Sequence, residues 1–299
     1  YNANEGEFAT TPTTNYNFGD EVTLPTLTRE GYTFAGWYNN SNLVGTEFTE
    51  ITSTETGNKE FWAKWDVNTY SVALNTNGGD INSGNVAYYT YGRLTLLPSD
   101  VTKIGHAFEG WYDNADFTGS VQTVISSTDL GDKTFYAKWT PRAYTVVLQT
   151  NNGTINSGNV TSYTYGEGTT LPTDITKTGY EFLGWFDNSS YDGGAVTEIA
   201  DNEIGNKNFW AKWTAATYSV AFNSNDGTIN SGEFDSYTFG TGAFLPHDVT
   251  KIGYTFAGWY ESEDFTSPIV TLLTSTDLGD KTFYAKWNQS TYSISYNAI

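Results

Sequence analysis

Short runs in which apolar and polar residues alternate recur along the chain, and clusters of Gly, Asn, Asp and Ser separate them. This period-two pattern is typical of half-buried β-strands, and the separating residues are typical of turns. No run carries the capped apolar stripe of an amphipathic helix, so the pattern predicts a mainly β protein with at most one helical turn per module. In the second module, the predicted strands are residues 70–74, 88–91, 94–97, 108–112 and 134–139. Residues 77–80 predict a turn with left-handed backbone, and residues 121–125 are ambiguous.

Three motifs recur in phase and divide the chain into four tandem modules. Gly-Trp begins at positions 36, 110, 184 and 258, and Ala-Lys-Trp begins at 63, 137, 211 and 285, so both series advance by 74 residues. Leu-Pro begins at 24, 97, 171 and 245, which leaves the first copy one residue shorter between Leu-Pro and Gly-Trp. Repeats 2 and 4 share residues 127–139 and 275–287 without a change, whereas repeats 1 and 3 differ from them there. The array therefore alternates as A-B-A-B.

The predicted domain boundaries follow from this phase. The modules are residues 1–69, 70–143, 144–217 and 218–291. Repeat 1 lacks the opening strand of the others, while residues 292–299 begin a fifth copy, in which Tyr-Ser-Ile matches the Tyr-Ser-Val that opens repeats 2 and 4. Two interpretations stay open. The ends are either cuts in a longer array, or residues 292–299 act as a donor strand that completes repeat 1 of another chain by head-to-tail self-assembly.

The junctions between modules are short. Only four residues, 140–143, lie between Trp139 and Tyr144. Such joints predict contacts between neighbouring repeats of the same chain and little independent movement. A compact module of this size is about 30 Å across, so four modules in line predict a rod of about 120 Å.

Composition narrows the function classes. The net charge of −20 argues against nucleic acid and anionic membrane surfaces as partners. There is no apolar run long enough to insert into a membrane, and no basic-then-apolar leader. The absence of Cys removes disulfides and thiolate chemistry, and suits a protein exposed to oxidants. A first residue other than Met indicates a piece of a longer polypeptide.

The repeated motifs resemble a known family. Gly-Tyr-Thr-Phe-Ala-Gly-Trp-Tyr occurs at 31–38 and 253–260, and Phe-Tyr-Ala-Lys-Trp at 135–139, with close variants in the other copies. Together they resemble the Listeria–Bacteroides repeat family, the internalin-type B-repeat, over the whole chain. The second copy departs with His106 in place of Tyr, and the third with Phe186 after Gly-Trp. The resemblance implies a β-grasp-like module on secreted or wall-anchored bacterial proteins, where such repeats act as stalks and sometimes contribute to adhesion. It carries over no catalytic residues and no cofactor.

The tryptophans of the Gly-Trp motifs are the main candidate site. Their positions fit a core or module-contact role first, and an aromatic platform for sugar stacking second. A regular strand places Phe34 and Trp37 on opposite faces, unless Gly36 forms a bulge that redirects Trp37. The candidate platform residues are Trp37, Trp111, Trp185 and Trp259.

Other residues that could bind a metal or form a crosslink also have ordinary structural interpretations. His106 and His247 have no counterparts in the other copies and fit solvated surface positions. The loops after Gly-Trp carry carboxylates that could supply some oxygens to calcium, but the first copy has none there. The recurring lysines of Ala-Lys-Trp could suggest isopeptide crosslinks, although a strand lysine normally points to water. The loop carboxylates are Asp113, Asp116, Asp187, Asp192, Glu261, Glu263 and Asp264, and the lysines are Lys64, Lys138, Lys212 and Lys286.

The sequence therefore predicts a structural repeat array, with no metal or other cofactor, rather than an enzyme. Small modules have no room for a deep cleft, and no phosphate loop, nucleophile elbow or metal-spaced His pair is present. We expect a semi-rigid stalk or filament segment of an extracellular, bacterial cell-surface protein. The alternative is an adhesion module that presents Trp or acidic loops to a glycan or a host protein.

Overall fold

The computed structural model describes residues 1–296, and these residues contain no helix. The chain divides into two compact units, Tyr1–Arg142 and the part from Ala143 onward, and each unit contains two repeats. The mainly β fold predicted from the alternation is confirmed. The finer β-grasp-like arrangement stays a prediction from the resemblance.

The strands are short except for three in each complete repeat. Repeat 1 contains β1 (Glu7–Phe8), β2 (Val22–Thr23), β3 (Leu27–Thr28), β4 (Tyr32–Tyr38), β5 (Glu50–Ile51) and β6 (Trp62–Val67). Repeat 2 contains β7 (Thr69–Asn75), β8 (Asp80–Ile81), β9 (Tyr88–Thr90), β10 (Thr95–Leu96), β11 (Val101–Thr102), β12 (His106–Tyr112), β13 (Val124–Ile125) and β14 (Lys133–Pro141). Repeat 3 contains β15 (Ala143–Gln149), β16 (Thr154–Ile155), β17 (Ser162–Thr164), β18 (Thr169–Thr170), β19 (Ile175–Thr176), β20 (Tyr180–Phe186), β21 (Glu198–Ile199) and β22 (Lys207–Ala215). Repeat 4 contains β23 (Thr217–Asn223), β24 (Thr228–Ile229), β25 (Ser236–Thr238), β26 (Ala243–Phe244), β27 (Val249–Thr250), β28 (Tyr254–Tyr260), β29 (Ile269–Val270), β30 (Leu272–Leu273) and β31 (Lys281–Gln289).

The main sheet of repeat 2 has the strand order β12-β14-β7-β9. The outer pairs are antiparallel, whereas β14 and β7 run parallel at the centre. The first and last strands of the repeat are therefore neighbours, and everything between them forms the crossover that a parallel pair requires. Repeat 3 has the same arrangement, β17-β15-β22-β20, and repeat 4 adds one short strand in β25-β23-β31-β28-β29.

Each complete repeat also contains two antiparallel ribbons of very short strands. In repeat 2 these are β8 with β11 and β10 with β13. The ambiguous residues 121–125 provide β13, and Gln122 pairs with Trp111 in an isolated bridge. Ile125 of β13 is fully buried, so the ribbon supplies core side chains despite its length.

Every repeat has a hydrophobic core of its own. In repeat 2, Val72, Tyr89 and Phe135 of the sheet pack with Leu97 and Ile125 of the crossover. The alternation of the closing strand explains its contribution, because Phe135 and its second neighbour are buried while the residue between them is only half-buried. The other three repeats form equivalent clusters.

The linkers are shorter than the sequence predicts. Strand β6 ends at Val67 and β7 begins at Thr69, so Asn68 alone lies between repeats 1 and 2. In the second unit, Ala216 alone lies between β22 and β23. The polar residues beside each joint belong to the last strand of one repeat or the first strand of the next, and these two strands lie in different sheets.

Candidate functional site: repeated tryptophans, loops and joints

The tryptophans of the Gly-Trp motifs lie inside the four cores. Their exposed fractions are 1% for Trp37 and 2% for Trp111, Trp185 and Trp259. Sugar stacking requires an exposed ring face, which these rings do not offer. The structure therefore corrects the surface-platform hypothesis for these four residues, and their role is to fill the cores.

A bulge at the motif glycine directs each tryptophan inward. The register between β12 and β14 shifts between Phe108 and Gly110, and the φ angle of Gly110 is +134°. The extra residue cancels the alternation, so the rings of Phe108 and Trp111 meet edge to face with centroids 5.7 Å apart. Of the two alternatives that the sequence allowed, a regular strand or a bulge, the structure has the bulge. The other repeats show a register shift at the same place.

The Leu-Pro motif shares the period of Gly-Trp because the two are hydrogen-bonded to each other. The indole N–H of Trp111 donates to the carbonyl oxygen of Pro98 at 2.7 Å. This bond satisfies the only polar atom of a buried side chain. The equivalent pairs are Trp37 with Pro25, Trp185 with Pro172 and Trp259 with Pro246, at 2.7, 2.8 and 2.6 Å.

The tryptophans of the Ala-Lys-Trp motifs pack on the turn that follows the opening strand. Asn77 and Gly78 both have positive φ angles, as a primed hairpin turn requires. The ring of Trp139 covers Gly79, where an added Cβ would lie 2.3 Å from the ring. The Trp139 indole N–H donates to the carbonyl of Thr76 at 2.8 Å. These indoles are half-buried, and each contacts both the turn and the hydrophobic core of its own repeat.

The lysines of Ala-Lys-Trp lie over aromatic rings on the outer face of the sheet. The Lys138 ammonium is 5.3 Å from the ring centroid of Tyr112, and Lys212 is 5.0 Å from that of Phe186. Lys64 and Lys286 make the same contact at 5.2 Å. The contact is a cation–π interaction worth about 0.5–2 kcal/mol, because each ring is buried and each lysine is half-buried.

The acidic loops after Gly-Trp are shaped by their own side chains. Asn114 donates to the carbonyl of Thr118 and accepts from its N–H, at 3.0 and 3.1 Å. Asp113 accepts a further bond from Asn114 at 2.8 Å. Within residues 1–296, no three His, Asp or Glu side chains converge as a metal site would need.

The two histidines differ in exposure. His247 is exposed, as expected for a solvated side chain. His106 is half-buried, and its Nδ1 lies 2.7 Å from the carbonyl oxygen of Ile104. It is the first residue of β12 and pairs with Pro141, the last residue of β14.

One Asp or Asn side chain accepts a backbone N–H of the opening strand in each complete repeat. The Asp132 carboxylate accepts the backbone N–H of Ser71 at 2.7 Å, and this hydrogen bonding holds its pKa below the ordinary value. Asp280 does the same for Ser219 in repeat 4, with the same effect on its pKa. The alternation of the array places Asn206 at this position in repeat 3, where it accepts from Thr145 at 3.0 Å.

The joint between repeats 1 and 2 is built from backbone hydrogen bonds and one ring. The N–H of Asn68 donates to the carbonyl of Gly31 at 2.9 Å, and the N–H of Tyr91 donates to the carbonyl of Asn68 at 3.0 Å. The Tyr91 ring then covers Gly31, where an added Cβ would lie 2.2 Å from it, and meets Tyr32 edge to face at 5.8 Å. A residue with a side chain at position 31 would displace this ring.

The joint between repeats 3 and 4 has the same design. Ala216 donates to Gly179 and accepts from Phe239, both at 2.9 Å. The Phe239 ring covers Gly179 and meets Tyr180 at 5.5 Å. Because Phe239 makes this contact with its ring alone, the hydroxyl of Tyr91 is not needed for the equivalent contact.

Comparison with known proteins agrees with this architecture. The family model of the Listeria–Bacteroides repeat domain matches residues 1–64, 70–138, 144–212 and 218–286. A "Putative Gly-rich membrane protein" of Evansella cellulosilytica is 32% identical over 93% of the chain, and a "Putative membrane protein" of the same organism is 31% identical over 89%. Internalin H of Listeria monocytogenes is 31% identical over 50% of the chain. The chain covers only 32%, 40% and 26% of the lengths of these three relatives.

Two of these relatives are named as membrane proteins. In residues 1–296 of this chain, none of the regular structure is a helix with the length and apolarity that crossing a bilayer requires. The matched segments are the repeats themselves, and their in-phase motifs are those that build the cores and joints. The chain belongs to the Listeria–Bacteroides repeat domain family, of which it contains four tandem copies.

Proposed function

We propose that this chain is a non-catalytic, semi-rigid spacer in a bacterial surface protein. The joints within each unit carry the proposal. A single residue separates the sheets of neighbouring repeats, and its N–H and carbonyl are both hydrogen-bonded, one to each repeat. A joint of this kind resists bending more than a flexible linker of the same length, because bending breaks backbone hydrogen bonds and uncovers an aromatic ring.

The use of the aromatic residues that recur in every repeat supports a spacer rather than a binding module. The four Gly-Trp indoles fill cores, the four Lys-Trp indoles clamp turns, and Tyr91 and Phe239 hold joints. The repeated residues thus stabilise the repeats and their order. A surface location is supported by the family and by relatives named as membrane proteins and as an internalin.

The test is small-angle X-ray scattering of the 299-residue chain at low concentration. The four modules in line that the sequence predicts would give a maximum dimension of about 120 Å, and this expectation is what the scattering curve tests. The double variant Tyr91→Ala and Phe239→Ala removes both joint rings and should shorten the mean end-to-end distance.

Phe18→Ala is the matched control, because Phe18 occupies the equivalent position of repeat 1 and is 77% exposed. It should leave the scattering curve unchanged. A wild-type curve that already fits freely jointed modules would refute the spacer proposal. A glycan array provides the second arm, since saturable binding would favour the adhesion alternative.

A further inference from the structure

The outward face of one short ribbon differs between alternate repeats. In repeat 2 this ribbon is β10 with β13, and the cross-strand pair on its outward face is Leu96 with Val124. The equivalent pair in repeat 4 is Phe244 with Leu272. Repeats 1 and 3 have Thr opposite Glu at these positions, so the ribbon face is polar in one type of repeat and apolar in the other. The polar pairs are Thr23 with Glu50 and Thr170 with Glu198.

The apolar pairs are open to solvent. Leu97 of β10 is buried, so the pleat of the strand turns its neighbour Leu96 away from the core. Leu96 is 66% exposed, Phe244 is 79% exposed and Leu272 is 41% exposed, whereas Val124 is half-buried. A single exposed apolar side chain is ordinary on a protein surface. A cross-strand pair that recurs in every second repeat, and is Thr with Glu in the others, calls for a physical reason.

Neighbouring repeats do not cover this face. Repeats 2 and 4 each follow another repeat within one compact unit, and Leu96 and Phe244 stay exposed there. Repeats 1 and 3 each precede another repeat within one unit, and the equivalent positions Thr23 and Thr170 stay exposed as well. Neither a preceding nor a following repeat reaches the ribbon. Its outward face is therefore available to a molecule other than the neighbouring repeats.

Charge at the ribbon alternates together with apolarity. Three acidic residues lie on the ribbon of repeat 1 or in the two positions before it, and two do so in repeat 3. The same positions of repeats 2 and 4 have no acidic residue, and in repeat 2 they include Arg93 and the exposed Leu94. In a chain with a net charge of −20, these two ribbons are places where a second acidic chain can approach without carboxylate meeting carboxylate. The acidic residues of the other two ribbons are Asp20, Glu21, Glu50, Glu167 and Glu198.

The surface that fits an apolar ribbon face best is the same face of a second copy. An acidic ribbon laid on it would lose the hydration of its carboxylates and find no partner for them. Another apolar ribbon loses no such hydration. Two ribbons related by a two-fold axis place Leu96 of one copy on Val124 of the other and the reverse, so a single kind of surface serves both copies.

From these observations we infer that the ribbon faces of repeats 2 and 4 are self-association surfaces, through which copies of the chain bind one another. Leu96 and Val124 of one copy pack on the same pair of a second copy, and Phe244 and Leu272 form the second contact of this kind. The ribbons of repeats 1 and 3 stay apart because each carries a carboxylate on its outward face. The A-B-A-B alternation thus decides which repeats take part.

The contact is small, so association is weak and reversible. A stable complex uses roughly 20–30 residues on each side, far more than one ribbon face offers. Association therefore needs a high local concentration, which many copies held on one surface provide. The inference does not depend on the spacer role. It is also separate from the head-to-tail contact expected of residues 292–299, which stays a prediction, and residues 297–299 lie outside the described part of the chain.

Sedimentation equilibrium of the 299-residue chain, up to millimolar concentration, tests the inference. The mean mass of wild type should rise with concentration, and added salt should strengthen the rise because it screens the repulsion between acidic copies. A ribbon variant gives repeats 2 and 4 the Thr and Glu that repeats 1 and 3 carry. It should associate at least about tenfold more weakly, since the burial of its apolar groups is lost. The four substitutions are Leu96→Thr, Val124→Glu, Phe244→Thr and Leu272→Glu.

The matched control is Leu130→Glu with Leu278→Glu. It adds the same two charges, and the two leucines it removes are 43% and 44% exposed and lie outside the ribbon. At high salt it should associate like wild type. The reverse variant, Thr170→Leu with Glu198→Val, places the apolar pair in repeat 3. It should associate more strongly than wild type.

Four results would overturn the inference. One is a wild-type chain that stays monomeric at every concentration and salt. The others are a ribbon variant that associates as tightly as wild type, a control that loses as much association as the ribbon variant, and a reverse variant no stronger than wild type. Circular dichroism of every form checks the fold, which each exchange should preserve because the introduced pair already occurs in the other type of repeat.

Discussion

The bulge glycine of repeat 2 allows a quantitative test of how the fold directs its core tryptophan. Gly110 has a φ angle of +134°, and an added Cβ would lie 2.4 Å from Cγ1 of Val121. Holding a residue other than glycine in such a conformation costs about 1–3 kcal/mol. Val121 is 42% exposed and can move, so the clash adds only about 1 kcal/mol, at the low end for overpacking. Gly110→Ala should therefore destabilise repeat 2 by about 2–4 kcal/mol.

Two further variants separate strain from contact. Gly131→Ala places alanine at a φ angle of +76° with open space around it, so it should cost only the left-handed strain of about 1–2 kcal/mol. Val121→Ala in the Gly110→Ala background removes the clash and should recover about 1 kcal/mol.

Hydrogen exchange followed by mass spectrometry gives the free energy of opening for peptides of repeat 2, with the other repeats of the same molecule as reference. If Gly110→Ala and Gly131→Ala lose the same protection, close packing at the bulge is not what requires glycine. If Val121→Ala recovers nothing, the contact argument fails.

Three other predictions concern the same repeat. Residues 70–143 should fold alone with a cooperative melting transition, because they contain a complete core; non-cooperative melting would show that neighbouring repeats supply part of it. Trp111→Phe leaves the buried carbonyl of Pro98 without its donor and should cost about 1–3 kcal/mol in urea unfolding, so an unchanged midpoint would contradict the importance of that bond. The pKa of Asp132 is lowered by its bonds from Ser71, so its stabilisation is present above the unfolded value of about 3.9 and is lost as pH falls through the lower folded pKa. Asp132→Asn should therefore lose less stability than wild type on acidification below about pH 4, and equal acid sensitivity in thermal melts would refute this.

Much of the fold follows from local pattern. The alternation within 70–74 and 134–139 identified the first and last strands of repeat 2, and the constant spacing of Gly-Trp and Ala-Lys-Trp identified the repeats. These features are local because a strand's two faces are set by its own period of two. The very short strands such as β8 and β11 could not be found this way, since two residues are too few to show a period.

The positions of the tryptophans depended on contacts between distant residues. The sequence left two possible directions for Trp37, because glycine at position 36 accepts either a regular strand or a bulge. Pairing with the closing strand decides between them, and it brings Trp37 onto the carbonyl of Pro25. The surface-platform hypothesis failed for this reason, since the direction of one side chain depended on a register shift that no local pattern reveals.

The sequence by itself determined the repeat length, the strand-forming segments and the family, because each of these is written in local alternation and regular spacing. Only the tertiary structure decided that the opening strand lies parallel to the closing strand, with Val72 beside Lys133. It also decided that Tyr91 of one repeat covers Gly31 of the previous one. These contacts join residues about sixty positions apart, and their free energy comes from burying apolar surface and pairing backbone groups that meet only when the chain has folded.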